Sequence, residues 1–351
     1  MKIAPLVASV VGGIAIAVIA YTTYWFVAAG EIEGRIAEWA EHQRARGMTV
    51  EAGAPQVSGY PLQFEVSLNH PSVDNSAKGW AWRGDKLTAS FRPWRFDKFD
   101  LKFHGQNDMR YFDGDSWHDI QGRVEDGSAW LQLDGEQRVE NLLLDLKQIT
   151  VAGPWGGDSV YVARLRARAE QLAETKFTSD AAPDPFEIAT AAIEFEGVKL
   201  PLGVGDEMGD AIEFLNFELS LFGPFPPGET NSSVKAWRDG GGTVELNSFR
   251  VRWGPLGFES AGTIALDGEM RPIGALTADI TGYGDVIDAL IMSNMIPLGD
   301  GFLAKVAFNM MADKPEDGGP PVLRSVPVTA QDGGLFVGPV AVARMPAINF
   351  D

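Results

Sequence analysis

The 351-residue chain sets 48 Asp and Glu against 29 Lys and Arg, a net charge of −19 that repels phosphate backbones and excludes nucleic acid as a partner. It has no cysteine, which rules out disulfides, thiolate nucleophiles, zinc–thiolate sites and iron–sulfur clusters. Hydrophobic residues at 45%, with 10 Trp and 20 Phe, supply apolar surface for a folded body larger than one ordinary domain.

From Ile3 to Ala29 no side chain is charged. As a helix these roughly 27 residues run about 40 Å, enough to cross a bilayer with some tilt. Lys2 lies on the N-terminal side, whereas Glu31, Glu33, Glu38 and Glu41 outnumber Arg35, Arg44 and Arg46 on the other. That asymmetry predicts a single-pass anchor with a cytoplasmic N-terminus and the bulk outside the cytosol. Tyr21, Tyr24 and Trp25 stand where an interfacial aromatic belt belongs. The rival reading is a signal peptide cleaved after Val27-Ala28-Ala29. Residues 1–29 are thus the expected anchor, with the membrane as partner through residues 3–29. Ile32, Ile36, Trp39 and Gln43 continue a helical spacing, so 30–48 is read as an amphipathic stem.

Beyond Met48 the period becomes two. Leu62, Phe64, Val66 and Leu68 alternate with Gln63, Glu65 and Ser67, and the pattern returns at Phe99–Phe103, Leu215–Leu221, Phe249–Trp253 and Leu276–Ile280. Asp-Gly pairs at Asp113, Asp126, Asp134, Asp239, Asp267 and Asp332 supply the residues that hairpin turns demand. Arg83-Gly84-Asp85 reads as one more turn. A short helical turn is expected at Asp206–Ile212, short helices at Asp285–Met295 and Phe302–Met311, and loops at Ser179–Pro185, Pro224–Glu229 and Pro315–Pro321. The fold class is mainly β: an N-terminal transmembrane helix, then an antiparallel body of curved sheets or an elongated sandwich with a few short helices. Its expected lobes are 49–180 and 181–351.

No G-x-S-x-G elbow, H-E-x-x-H helix or P-loop occurs, so catalysis is not expected, nor any cofactor. Asp113, Asp115, His118 and Asp119 are oxygen and imidazole groups in one turn, yet their spacing matches no established ion-binding loop, and an acidic hairpin accounts for them without a metal. More informative is the density of rings and guanidinium groups between Trp80 and Phe103, with Tyr60 and Phe64 upstream of it. Tyr60, Phe64, Trp80, Trp82, Trp94 and Phe96, with Arg92 and Arg95, either fill a core or line a groove that takes acyl chains and an anionic headgroup.

Several segments carry a resemblance: Val57-Ser58-Gly59-Tyr60-Pro61-Leu62-Gln63-Phe64, Trp80-Ala81-Trp82, Arg92-Pro93-Trp94, Trp253-Gly254-Pro255-Leu256 and Asp332-Gly333-Gly334-Leu335-Phe336-Val337-Gly338-Pro339. Together they resemble the alphaproteobacterial domain of unknown function 2125 family over nearly the whole chain after the anchor. The Gly-Tyr-Pro opening and closing Asp-Gly turn are also similar to segments of AsmA-like envelope proteins, which implies a β-sheet groove that holds or moves lipid. Neither resemblance supplies functional residues.

The expectation is a noncatalytic protein of the bacterial inner membrane, its bulk periplasmic, that holds or shuttles lipid or another amphiphile on a β-sheet groove. The alternative is an envelope scaffold that binds a protein partner through its β body. An open apolar trough favours the first, and sheets sealed face to face favour the second.

Overall fold

The structure is a computed structural model that describes residues 4–154, 158–171, 187–201, 208–226, 230–293, 295–314 and 320–348. The chain folds as two compact units, Met1–Arg138 and Val139–Asp351. The boundary expected at 180/181 and its spacer Ser179–Pro185 lie outside the described residues, as do 227–229 and 315–319 of the two other expected loops.

The first unit opens with one continuous helix, α1 (Ala4–Ala45), that runs through both the expected anchor and the expected stem. It ends where Gly47 takes φ 86°, a left-handed conformation that favours glycine. The strands β1 (Thr49–Glu51), β2 (Gln56–Ser58), β3 (Phe64–Asn69), β4 (Ser72–Asn75), β5 (Trp80–Arg92), β6 (Arg95–Phe112) and β7 (Trp117–Leu133) follow. All pairings are antiparallel: β5 joins β3, β4 and β6, β6 joins β7, and β1 and β2 extend the sheet on β4 and β3. One face of α1 covers this sheet. Trp25 and Ala29 are buried with Phe64, Val66 and Phe91, and Ile32 and Ile36 pack beside them. The 4–3–4 spacing of those helix residues is the stripe a helix needs to rest on a flat layer.

The second unit contains β8 (Val139–Ala152), β9 (Val160–Gln171), β10 (Glu187–Lys199), β11 (Ala211–Phe222), α2 (Thr230–Asp239), β12 (Thr243–Trp253), β13 (Leu256–Leu266), β14 (Pro272–Thr281), α3 (Tyr283–Met292), α4 (Leu298–Met311), β15 (Val322–Gln331), β16 (Gly334–Val337) and β17 (Val340–Arg344). From β8 to β17 each strand pairs antiparallel with the next. The fold is mainly β, with the period-two segments read from the sequence lying inside β3, β6, β11, β12 and β14, except that Leu62 and Gln63 precede β3 in a loop.

Three local expectations change. Arg83-Gly84-Asp85 is not a turn: β5 runs straight through it, and the register slips by a bulge between Gly84 and Lys86. A Cβ on Gly84 would meet the Trp82 ring, so glycine here serves close packing. Asp126-Gly127 lies inside β7 with Gly127 paired to Phe103, because the strand's cross-sheet partners outweigh the local turn preference. Thr230–Asp239 is a helix the sequence pattern does not announce; among its described side chains only Ser233, Val234 and Trp237 are buried, too few to mark a period. The helices expected at Asp285–Met295 and Phe302–Met311 fall on α3 and α4; of the stretch Asp206–Ile212, Asp206 and Glu207 lie outside the described residues, and Ala211 and Ile212 open strand β11 instead.

One hairpin turn is built twice from the same five-residue pattern. In Asp134-Gly135-Glu136-Gln137-Arg138, Asp134 Oδ1 accepts the Glu136 and Arg138 amides at 2.8 and 2.9 Å, and Arg138 Nε donates to Oδ2 at 2.9 Å. In Asp267-Gly268-Glu269-Met270-Arg271 the corresponding distances are 2.8, 2.8 and 2.7 Å. Gln137 and Met270 both take positive φ, 66° and 63°. The difference is Met270, which is buried under α2 against Val234 and Trp237. Backbone donation from Arg138 and Arg271 holds both carboxyls below the ordinary carboxylate range. A depressed folded pKa stabilises the fold above the unfolded value, and that stabilisation is lost on acidification. The double variant Asp134→Ala/Asp267→Ala is therefore expected to lose less stability than the parent as pH falls below about 4. Urea titrations at pH 7 and pH 3 measure this, and an unchanged pH dependence would refute it.

Candidate functional site

The second unit's sheet segregates its side chains by face. Cross-strand register sets Leu144, Ala167, Ile193, Phe217 and Phe249 in one row from β8 to β12. A neighbouring row holds Leu146, Leu165, Phe195, Leu215, Val251 and, on β13, Phe258. These side chains are half-buried and Ile193 is exposed. Six strands at about 4.8 Å spacing make an apolar strip roughly 24 Å across. Within it Phe217 stacks on Phe249 with ring centroids 4.5 Å apart, and Phe249 meets Phe258 at 5.4 Å. Past β13 the same face is roofed: Ala278, Ile280, Leu323 and Val326 are buried beneath Tyr283, Ile287 and Phe308 of α3 and α4. At the strand ends of β11 and β12 it is closed by α2, whose Trp237 donates to the Phe222 carbonyl at 2.7 Å.

The opposite face is a charged ladder. Arg164 grips Asp145 through two hydrogen bonds of 2.8 and 2.7 Å, Arg166 bridges Glu194 and Glu196 at 2.5 Å, and Arg168 reaches Glu218 at 3.4 Å. The hydrogen bonds from Arg164 lower the Asp145 carboxyl pKa, and the Arg164 pKa rises in return. An antiparallel sheet with one wet face ordinarily covers the other with a core layer. Over β8–β12 that covering is incomplete among the described residues of this unit, which makes the apolar strip the candidate site. No sequence signal singles out Ile193, Phe217 and Phe249; alternation is visible along β11 and β12, but alternation alone does not say which face stays uncovered.

Of the eight residues expected to line a groove, Tyr60, Phe64, Arg92, Trp94, Arg95 and Phe96 gather at one end of the first unit's sheet beside α1, and Trp80 and Trp82 lie elsewhere. Phe64 is fully buried, stacked on Trp25 at 5.0 Å. Tyr60 stacks on Phe26 at 5.7 Å and shares a hydrogen bond of 2.7 Å with Thr22. Phe96 lies 5.6 Å from the Phe91 ring, and Trp94, Arg92 and Arg95 are exposed on the β5–β6 turn. Trp80 and Trp82 sit at the other end of β5, roughly 33–40 Å along the strand from Arg92. Trp82 instead pairs with Met109 and lines a 340 Å³ cleft with Val73 and Ile120.

The acidic turn is occupied by its own hydrogen bonds. Asp113 accepts the Asp115 and Ser116 amides at 2.8 Å each and meets His118 Nε2 at 2.6 Å, while Asp119 pairs with Arg110 at 3.1 Å. These donors, the Ser116 amide first, hold the Asp113 carboxyl well below the ordinary carboxylate range. Among the described residues no group of three or more His, Asp or Glu side chains is disposed to hold a metal ion.

A family model described as "Uncharacterized protein conserved in bacteria (DUF2125)" matches residues 25–346. The chain belongs to this family. No curated protein and no solved structure matches it. In this DUF2125 member the matched region opens at Trp25, which is buried against the sheet, and leaves the preceding apolar part of α1 outside it. That N-terminal helix is long and apolar enough to cross a membrane, as a single-pass anchor or a signal sequence would be.

Proposed function

We propose that the protein is a noncatalytic, membrane-anchored envelope protein whose body lies in the bacterial periplasm and holds or shuttles lipid or another amphiphile on its β-sheet. The observation that carries this reading is the apolar strip of Ile193, Phe195, Leu215, Phe217 and Phe249, which the described residues of the second unit cover only in part, with a charged ladder on the opposite face. An acyl chain laid along it gains about 0.8 kcal/mol per methylene removed from water, with no hydrogen bond required of the protein. The charge balance around α1 supports an N-terminus in the cytoplasm.

The test is purification of the full chain from membranes into nanodiscs after detergent exchange, followed by native mass spectrometry. A stoichiometric phospholipid retained by the protein after release from the disc is the expected result. The reading fails if none is found while in-cell crosslinking captures one protein repeatedly through the body. One observation favours that second reading, an envelope scaffold: α4 exposes Leu298, Phe302, Val306 and Met310 at intervals of four, a stripe suited to a protein partner.

A further inference from the structure

The second surface with unexplained apolar exposure surrounds α1 where it meets the first unit's sheet. Four neighbouring helix residues are tied to two loops. Tyr21 Oη donates to the Pro61 carbonyl, Thr22 shares its hydrogen bond with Tyr60, Tyr24 Oη donates to the Pro93 carbonyl at 2.8 Å, and Trp25 Nε1 donates to the Gln63 carbonyl at 3.3 Å. These bonds fix the heights of both loops along the helix axis. The loops then present Leu62 at 71% exposure and Trp94 at 61%, with Tyr60, Phe96 and Phe26 also exposed beside them. Arg92 and Arg95 are exposed on the same turn, Arg95 with a 3.6 Å contact to Asp97.

What covers this collar follows from the helix. Trp25 and Ala29 are buried on the sheet, so lipid cannot surround α1 from there onward. The described stretch left for a bilayer runs from Ala4 to Tyr24, about 31 Å as a helix, enough for a hydrocarbon core of about 30 Å. The outer boundary of that core therefore falls at Tyr21–Trp25, the level of the collar. Tyr and Trp favour that depth, and guanidinium groups there meet phosphates.

We infer that the collar formed by Tyr60, Leu62, Trp94 and Phe96 is a bilayer-docking surface, seated in the headgroup region of the outer leaflet with Arg92 and Arg95 toward lipid phosphates. This rests on α1 being a retained anchor and is independent of the strip on the second unit. It converts a tether into an oriented mount, because two loops and a helix contact the membrane together.

The chain has no cysteine, so single nitroxide labels carry no background. Ile16→Cys, Leu62→Cys, Trp94→Cys and Trp117→Cys, all at exposed positions, are labelled in the full-length protein and reconstituted in vesicles of phosphatidylcholine and phosphatidylglycerol. Collision with oxygen and with a water-soluble nickel chelate then reports depth. The expected result is Ile16 in the hydrocarbon, Leu62 and Trp94 at least about fivefold less accessible to nickel than Trp117, and a return toward the Trp117 value at Leu62 when Arg92→Gln/Arg95→Gln is added. Leu62 and Trp94 as open to nickel as Trp117, with Ile16 still in oil, overturns the docking and leaves the anchor standing. Ile16 in water overturns both. Circular dichroism of each labelled protein confirms the strands, and the Trp94 label decides should Leu62→Cys fail to fold.

Discussion

Phe64→Ala is expected to lower the unfolding free energy of the first unit by about 3–5 kcal/mol, the usual cost of deleting a fully buried phenyl ring. Phe64 has no exposed surface and touches both layers, stacked on Trp25 of the helix and 5.5 Å from Phe91 of the neighbouring strand. Its neighbours cannot close the cavity, since β3 is held by six paired residues on β5 and α1 is held by its loop hydrogen bonds. Urea titration of the full chain in nanodiscs, followed by near-ultraviolet circular dichroism, measures the shift. Trp39→Ala is the comparison: it deletes a larger ring from an exposed position outside the collar, and the expected change is less than about 0.5 kcal/mol. Equal effects from the two variants would show that the helix–sheet contact is not what holds the unit together.

Phe217→Asp is expected to reduce retention of the co-purifying lipid at least about 100-fold, near 2.7 kcal/mol. The side chain sits mid-strip between Ile193 and Phe249, so an acyl chain lying there would have to strip water from an ionised carboxylate. Glu218→Gln is the matched control. It is the next residue along β11, it points to the charged face, and it changes the strand's charge without touching the strip. Phe217→Leu should keep the lipid, which separates loss of an apolar surface from loss of fold. Retention unchanged in Phe217→Asp, or lost equally in Glu218→Gln, would remove the strip from the binding reaction.

The candidate site is legible in the sequence only in part. Leu215, Phe217, Leu219 and Leu221 announce a half-buried strand because their spacing is two, and the residue order says no more than that. The rings between Trp80 and Phe103 suggest one site because they are dense in the chain. In the structure a strand's length separates Trp80 and Trp82 from Trp94, and Phe64 turns inward toward the helix. Density along a chain is not proximity when the chain is extended.

What the amino-acid order settled alone was local: the apolar helix, the alternating strands, and the Asp-Gly hairpins at Asp113, Asp134, Asp267 and Asp332. Each depends on interactions within a few residues. Tertiary structure decided where those elements stop and which faces are covered. β5 overrides the turn at Arg83-Gly84-Asp85 because its neighbours β4 and β6 supply hydrogen bonds on both sides. Trp25 is buried because β3 and β5 pack beneath it, and Phe217 stays half-buried because α3 and α4 roof only the far end of its sheet. Burial is a property of what arrives from elsewhere in the chain, and alternation records only that one side is apolar.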